Sequence, residues 1–209
     1  MLKNSMIKFV VVFILTFLVV SAANSGPVTI GFSPAVTSGS VGSSVDIDVL
    51  VSGLGSGSAP SLGGFDFDVT FDSAILAYNS ASYGDPVLGD QLDIGGFGSY
   101  TETTVATDSV NLFGLSYDFP ADLDNFQADS FILATLTFDL LAAGTSPLGL
   151  NLNSLTDSDG QALFADLISG SIHSVPVPST LLLFGTGLAG LGYMRIMRKT
   201  AVPSQRPSI

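Results

Sequence analysis

The side chains that could do chemistry in this chain are almost all carboxylates. Asp157-Ser158-Asp159-Gly160 is an Asp-x-Asp-Gly run, a pattern suited to Ca²⁺ because hard cations take oxygen ligands and a glycine permits the sharp turn around them. Laid on a twelve-residue calcium loop, Asp157 and Asp159 fall at the third and fifth positions, Gly160 at the sixth and Asp166 at the twelfth. Leu155 falls at the first, where an oxygen ligand belongs, and an ordinary Asp-Gly turn between strands accounts for the same residues. Asp118, Asp122, Asp124 and Asp129 make a second acidic loop, for which solvation is the simpler expectation. Paired carboxylates can hydrolyse glycosides, but aspartates recur so often here that no pair is singled out. The lone histidine, His173, has no serine nucleophile motif beside it. Without cysteine there is no thiolate, disulfide or cysteine nucleophile. No catalytic residue and no cofactor site emerges beyond the calcium candidate, so the expectation is a protein that is not an enzyme. Tyr78, Tyr83, Tyr100, Tyr117 and Phe119 offer flat apolar faces that could form a platform for polysaccharide. The chain lacks Trp, and most of its 15 phenylalanines are expected in the core.

The elements that must position these residues read as strands. Val45, Ile47, Val49 and Val51 alternate with Asp46, Asp48 and Leu50, and Phe65, Phe67, Val69 and Phe71 alternate with Asp66, Asp68 and Thr70. A period of two with one apolar face predicts half-buried strands. Further strands are expected over Val28 to Ser33, Tyr100 to Ala106, Val110 to Ser116, Phe131 to Leu141, Leu148 to Leu152 and Leu167 to His173. Turn residues separate them at Gly53 to Gly64, Gly84 to Gly96, Asp118 to Asp129 and Ala142 to Pro147. Many short strands and no long helix predict an all-β fold, a single β-sandwich or jelly roll over residues 26–174. The 209 residues leave room for one domain of roughly 100 to 150 residues once the ends are set aside.

Charge is segregated. All six basic residues lie at the ends: Lys3, Lys8, Arg195, Arg198, Lys199 and Arg206. All 18 acidic residues lie between Asp46 and Asp166. A domain without cations repels a phosphate backbone, which excludes nucleic acid as a partner. Its acidity suits either simple solubility or the binding of cations and basic partners.

The ends read as export and retention signals. Two lysines precede the apolar run Phe9 to Val20, and the small residues Ser21-Ala22-Ala23 follow it. That order is a secretory signal peptide over residues 1–23, with cleavage expected after Ala23 and Ser25 as the alternative. The run is shorter than the roughly 20 apolar residues a membrane span needs. At the other end Val175 to Met194 carries no charge, Pro176 and Pro178 stand at its outer edge, and Arg195, Arg198 and Lys199 close it. A transmembrane helix is expected over about 179–194, with residues 200–209 as a cytoplasmic tail and the acidic domain outside by the positive-inside rule.

Two resemblances follow from these residues. Pro176-Val177-Pro178, a Gly- and Leu-rich helix and the basic cluster Arg195, Arg198, Lys199 resemble the PEP-CTERM sorting signal of Gram-negative bacteria. That likeness covers 175–199 and implies an exosortase-type processing enzyme as partner, with Val177 standing where the family usually has Glu. The order Gly42 to Val49, then Gly64 to Asp72 followed by Ile75-Leu76, then Leu133 to Phe138, Ala143 to Leu148 and Asp157 to Gly160 is similar to a cohesin domain. Cohesin-likeness implies a β-sandwich that binds a protein, dockerin in cellulose-degrading assemblies, within a superfamily that also binds polysaccharide. The combined expectation is a non-enzymatic envelope or extracellular-matrix protein, held at the inner membrane before reaching the cell surface, whose domain binds polysaccharide or a surface protein. The alternative is a carbohydrate-active enzyme or its accessory binding module.

Overall fold

Alternation becomes burial strand by strand in the computed structural model of the chain, which describes residues 27–176 and 186–190. In β3 (Ser44–Ser52) Ile47, Val49 and Val51 point inward, while Asp46 and Asp48 point out. In β4 (Leu62–Thr70) Phe65, Phe67 and Val69 are buried, and Asp66 and Asp68 stand on the opposite face. The remaining strands are β1 (Val28–Ser33), β2 (Val36–Ser40), β5 (Leu76–Tyr83), β6 (Ser99–Val105), β7 (Ser109–Ser116), β8 (Ser130–Leu140), β9 (Gly144–Asp157), β10 (Ala165–Ile168) and β11 (Gly170–Val175). One helix, α1 (Pro120–Phe126), interrupts them, with its proline in the first turn where the missing N–H costs no helical bond.

The strands form two sheets, one ordered β10-β1-β3-β8-β5 and the other β2-β11-β9-β4-β7-β6. Their inner faces meet in one core that includes Ile30, Ile47, Phe67, Leu112, Leu136, Phe138, Leu148 and Ile172. The expected β-sandwich is therefore present. At one edge the two sheets are joined by Tyr83 of β5, whose hydroxyl donates to the Glu102 carbonyl of β6 and hydrogen-bonds Thr103 Oγ1 at 2.8 Å.

Several boundaries differ from the sequence reading. Strands β2 and β5 fall where none is expected, because Val36–Ser40 and the outer half of Leu76–Tyr83 hold small polar residues with little apolar alternation. The predicted Leu148 to Leu152 strand extends to Gly144–Asp157, since its first part pairs with β11 and its later part with β4. Gly144 to Pro147 and Leu62 to Gly64 are consequently strand and not turn. The predicted Leu167 to His173 strand is two, β10 and β11, in different sheets. The chain also changes sheets between β1 and β2, and the four short strands form parallel pairs, β1 with β10 and β2 with β11.

The two ends of the sandwich are unlike. At the near end, where the chain leaves β11 at Pro176, the connections are tight: 41–43, 71–75, 106–108 and 141–143. At the far end lie the long connections 53–61, 84–98, 117–129 and 158–164, the third of which carries α1. The proposed signal peptide, cleavage at Ala23 and cytoplasmic tail 200–209 lie outside the described residues. So does most of the expected membrane helix, of which 186–190 are helical. Among the described residues no helix is long and apolar enough to cross a membrane.

Candidate functional site

Four groups of residues were candidates from sequence, and the fold treats each differently. In the Asp-x-Asp-Gly run, Asp157 closes β9 and its Oδ1 accepts from the Asp159 N–H at 3.0 Å and the Gln161 N–H at 2.7 Å. Gly160 follows at φ +77, a left-handed conformation that glycine adopts at no steric cost. Asp166 lies in β10, opposite Thr29 of β1. Among the described residues no group of three or more Asp, Glu or His side chains gathers closely enough to hold a metal ion. His173 hydrogen-bonds Thr145 Oγ1 through Nδ1 at 2.7 Å, across the β11–β9 pair.

The second acidic loop is part of the far-end structure. Asp118 is buried and accepts the Gly95 N–H at 2.7 Å and the Phe97 N–H at 3.2 Å. Asp124 accepts from Ser61 Oγ at 2.5 Å and Ser158 Oγ at 3.1 Å. The group that organises this end is one sequence reasoning passed over, Gln127, which is 3% exposed. Its Oε1 accepts the Leu62 N–H at 2.6 Å, and its Nε2 donates to the Leu62 and Gln91 carbonyls, both at 2.9 Å. Gln91 in turn accepts the Ala128 N–H at 2.9 Å. Asp85 accepts N–H groups from Val87, Leu88 and Ile132. Burial pushes its carboxyl upward, but the backbone donors, Ile132 first, outweigh this and hold it below the usual carboxylate value.

The aromatic candidates divide. Tyr78 packs edge-on against Phe138, and Tyr83 stacks on Phe65 with its ring centroid 6.5 Å away. Burial pushes both phenols up. Tyr100, Tyr117 and Phe119 remain exposed and are joined by the exposed Phe97 and the half-buried Phe113, neither of which the sequence singled out. Phe113 and Leu115 lie two residues apart on the outer face of β7, with Tyr100 of β6 directly opposite Leu115 and Tyr117 just past the strand's end. Glu102 receives a 3.0 Å hydrogen bond from the Tyr100 hydroxyl and raises the pKa of that phenol.

Beside this aromatic line lies a polar lattice at the centre of the six-stranded sheet. Asp66 and Asp68 are neighbours on the outer face of β4, flanked by Asn111 of β7 and Asn153 of β9. The Asn111 amide donates to Asp66 Oδ1 at 2.7 Å and Asp68 Oδ1 at 3.0 Å. The Asn153 amide donates to Asp66 Oδ1 at 3.1 Å and Asp68 Oδ2 at 3.3 Å. Two adjacent carboxylates repel, and amides donating to both from either side hold them together while leaving acceptor lone pairs open to a ligand. Sequence alternation placed the aspartates on an outer face, but the asparagines that lock them come from distant strands.

Comparison with known proteins adds to this geometry. Residues 174–199 match the PEP-CTERM protein-sorting motif. The match begins at Ser174, inside β11, so the motif is joined directly to the folded domain. No curated protein matches the chain by sequence. Among solved structures, the chain is similar to a type I cohesin of Clostridium thermocellum determined with its dockerin, at 13% identity and TM-score 0.56 over 72% of this chain and 100% of that one. It is also similar to a non-cellulosomal cohesin from the archaeon Archaeoglobus fulgidus, at 14% identity and TM-score 0.53 over 72% of this chain and 92% of that one. A scaffoldin cohesin of Acetivibrio cellulolyticus, solved with a Cel5 dockerin, aligns at 18% identity and TM-score 0.55 over 72% of this chain and 100% of that one. At such identities the likeness establishes a shared fold, the cohesin β-sandwich.

Proposed function

We propose that this chain is an exported binding module, delivered to the cell envelope by its sorting motif and holding a protein partner on the outer face of the six-stranded sheet. The observation that carries the reading is the lattice of Asp66, Asp68, Asn111 and Asn153, an open, preorganised hydrogen-bonding surface on a fold shared with dockerin-binding cohesins. An exosortase-type enzyme processes the motif, and Pro176, Val177, Pro178, Arg195, Arg198 and Lys199 are the residues it reads. The domain works by binding without turnover: its carboxylates are tied into turns and amide networks, which suits recognition.

A photo-crosslinking residue placed at Ser154, opposite Asp66 in β9, tests the partner in a cell that processes the motif. A discrete adduct with an envelope protein, lost in the Asp66→Ala/Asp68→Ala variant, is the expected result. Absence of any protein adduct would sink the reading. Sorting is tested separately by mass spectrometry of the mature C-terminus, where the tail beyond the Pro176-Val177-Pro178 motif should be missing.

A second reading, polysaccharide binding, is favoured by the exposed Tyr100 on the same sheet, packed against Phe113, the β7 residue opposite Asp66. It predicts retention on a glycan panel that Tyr100→Ala abolishes, and release of reducing sugar would instead point to an enzyme.

A further inference from the structure

The far end carries a second surface, distinct from the sheet face. Phe97 and Phe119 are 56% and 61% exposed, yet their ring centroids lie 4.9 Å apart. Backbone contacts to Asp118 fix Phe97, and Phe119 is held as the residue that opens α1. Phe119 stands just before α1, and Asp122 and Phe126, four residues apart, share one flank of the helix. Leu123 and Gln127 turn inward and pin that flank in place. Carboxylate oxygens of Asp118 and Asp122 converge on Gly95, within 3.0 and 3.1 Å of where a side chain there would begin. Phe126 is 68% exposed. Large aromatic side chains left exposed to water beside carboxylates are uncommon on a monomer and mark interaction sites.

Charge and ring geometry identify the occupant. Between Phe9 and Met194 there is no lysine or arginine, so a second copy of the domain would bring only like charge to this surface. A flat sugar ring stacks best on an open face, whereas Phe97 and Phe119 meet at 78° and form a notch with one face and one edge. A planar guanidinium fits such a notch, stacking on one ring while donating to a neighbouring carboxylate.

We propose that the Phe97–Phe119 notch, with Asp122 beside it, receives an arginine side chain from a basic partner protein. This rests on the reading of the domain as a protein-binding module. It places that basic contact at the end of the sandwich opposite the sorting motif.

The test uses the full chain in non-ionic detergent, titrated with nona-arginine, nona-lysine and cellohexaose at physiological ionic strength, where distant charges are screened. Nona-arginine should bind more tightly than nona-lysine, and Phe97→Ala/Phe119→Ala should weaken its binding by about tenfold. Asp46→Asn/Asp48→Asn, which removes acids from the other sheet, should weaken it by less than about threefold. Melting curves, with Phe97→Tyr/Phe119→Tyr as a variant that retains binding, separate loss of the notch from loss of the fold. Equal binding of the two peptides, or an undiminished Phe97→Ala/Phe119→Ala variant, would overturn the proposal. Loss of cellohexaose in place of nona-arginine would overturn it in favour of a saccharide. A chain that still cross-links through Ser154 but ignores nona-arginine would overturn this inference alone.

Discussion

The near and far ends of the sandwich solve the same problem, how to join strands, by different chemistry. At the near end the turns are closed mainly by backbone: Val41 donates to Val175, Gly42 to Leu140, and Phe71 to Asp108, at 2.8 to 3.0 Å, with Ser146 and Asp72 adding side-chain bonds at 71–75. Gly42, at φ +86, makes the first of these turns possible. At the far end the long loops are tied by side chains, chiefly Gln127, Gln91, Asp85, Asp118 and Asp124. A backbone turn tolerates most substitutions, whereas a loop closed by one amide depends on that amide. The near end is built to be a joint and the far end to be a shaped surface, vulnerable at a few residues.

Gln127→Ala should give the largest contrast. It strands the Leu62 N–H and the Leu62 and Gln91 carbonyls in the interior and should cost about 3 kcal/mol. Hydrogen exchange should accelerate across 53–61 and 84–98 and stay unchanged at 41–43 and 141–143, and uniform acceleration would erase the distinction between the ends. Asp85→Asn comes next, at about 1 to 2 kcal/mol, because its three backbone donors lose their charged acceptor. Since the folded pKa of Asp85 lies below the unfolded value, its stabilisation is present above the usual carboxylate range of about 3.9 and fades as pH falls through the lower folded value. Urea midpoints from pH 6 downward should show that loss in the parent and a smaller one in the variant.

Asp157→Ala should cost about 1 kcal/mol by uncapping the turn at Asp159 and Gln161. The loss should be the same with calcium or chelator present, and a parent melting point raised by calcium would show that a cation binds the native state. The smallest effect should have the opposite sign. Ser174 is 4% exposed and its hydroxyl lacks a hydrogen-bond partner among the described residues. Ser174→Ala should therefore raise the melting point, by about 0.5 kcal/mol of stability, because it removes a buried polar group left unpaired.

Legibility in the sequence follows the same division. An apolar residue at every second position is a local pattern, so β3, β4, β7 and β8 could be read directly, and a sandwich with them. Val36–Ser40 became a strand only because β11 pairs alongside it, which no local pattern announces. Tyr78 and Tyr83 looked like surface platforms because a tyrosine reads alike whether its ring meets water or Phe138 and Phe65. Phe97 and Phe119 lie far apart in sequence and meet only after α1 and the 84–98 loop fold against each other. Gln127 carries no recognisable motif, and its importance comes from the distance between Leu62 and Gln91 that its amide spans.

The joint at β11 has a mechanical consequence. Were the chain held at its unprocessed C-terminus while a partner gripped the domain, tension would enter the fold through Val175 and run along β11. That strand is bonded to β2 on one side and β9 on the other, and the antiparallel bonds to β9 lie across the line of pull. Displacing it requires its bonds to slide together in shear, whereas a terminal hairpin would unzip one bond at a time. The same attachment that brings the sorting motif against the domain would thus decide how such a pull is resisted.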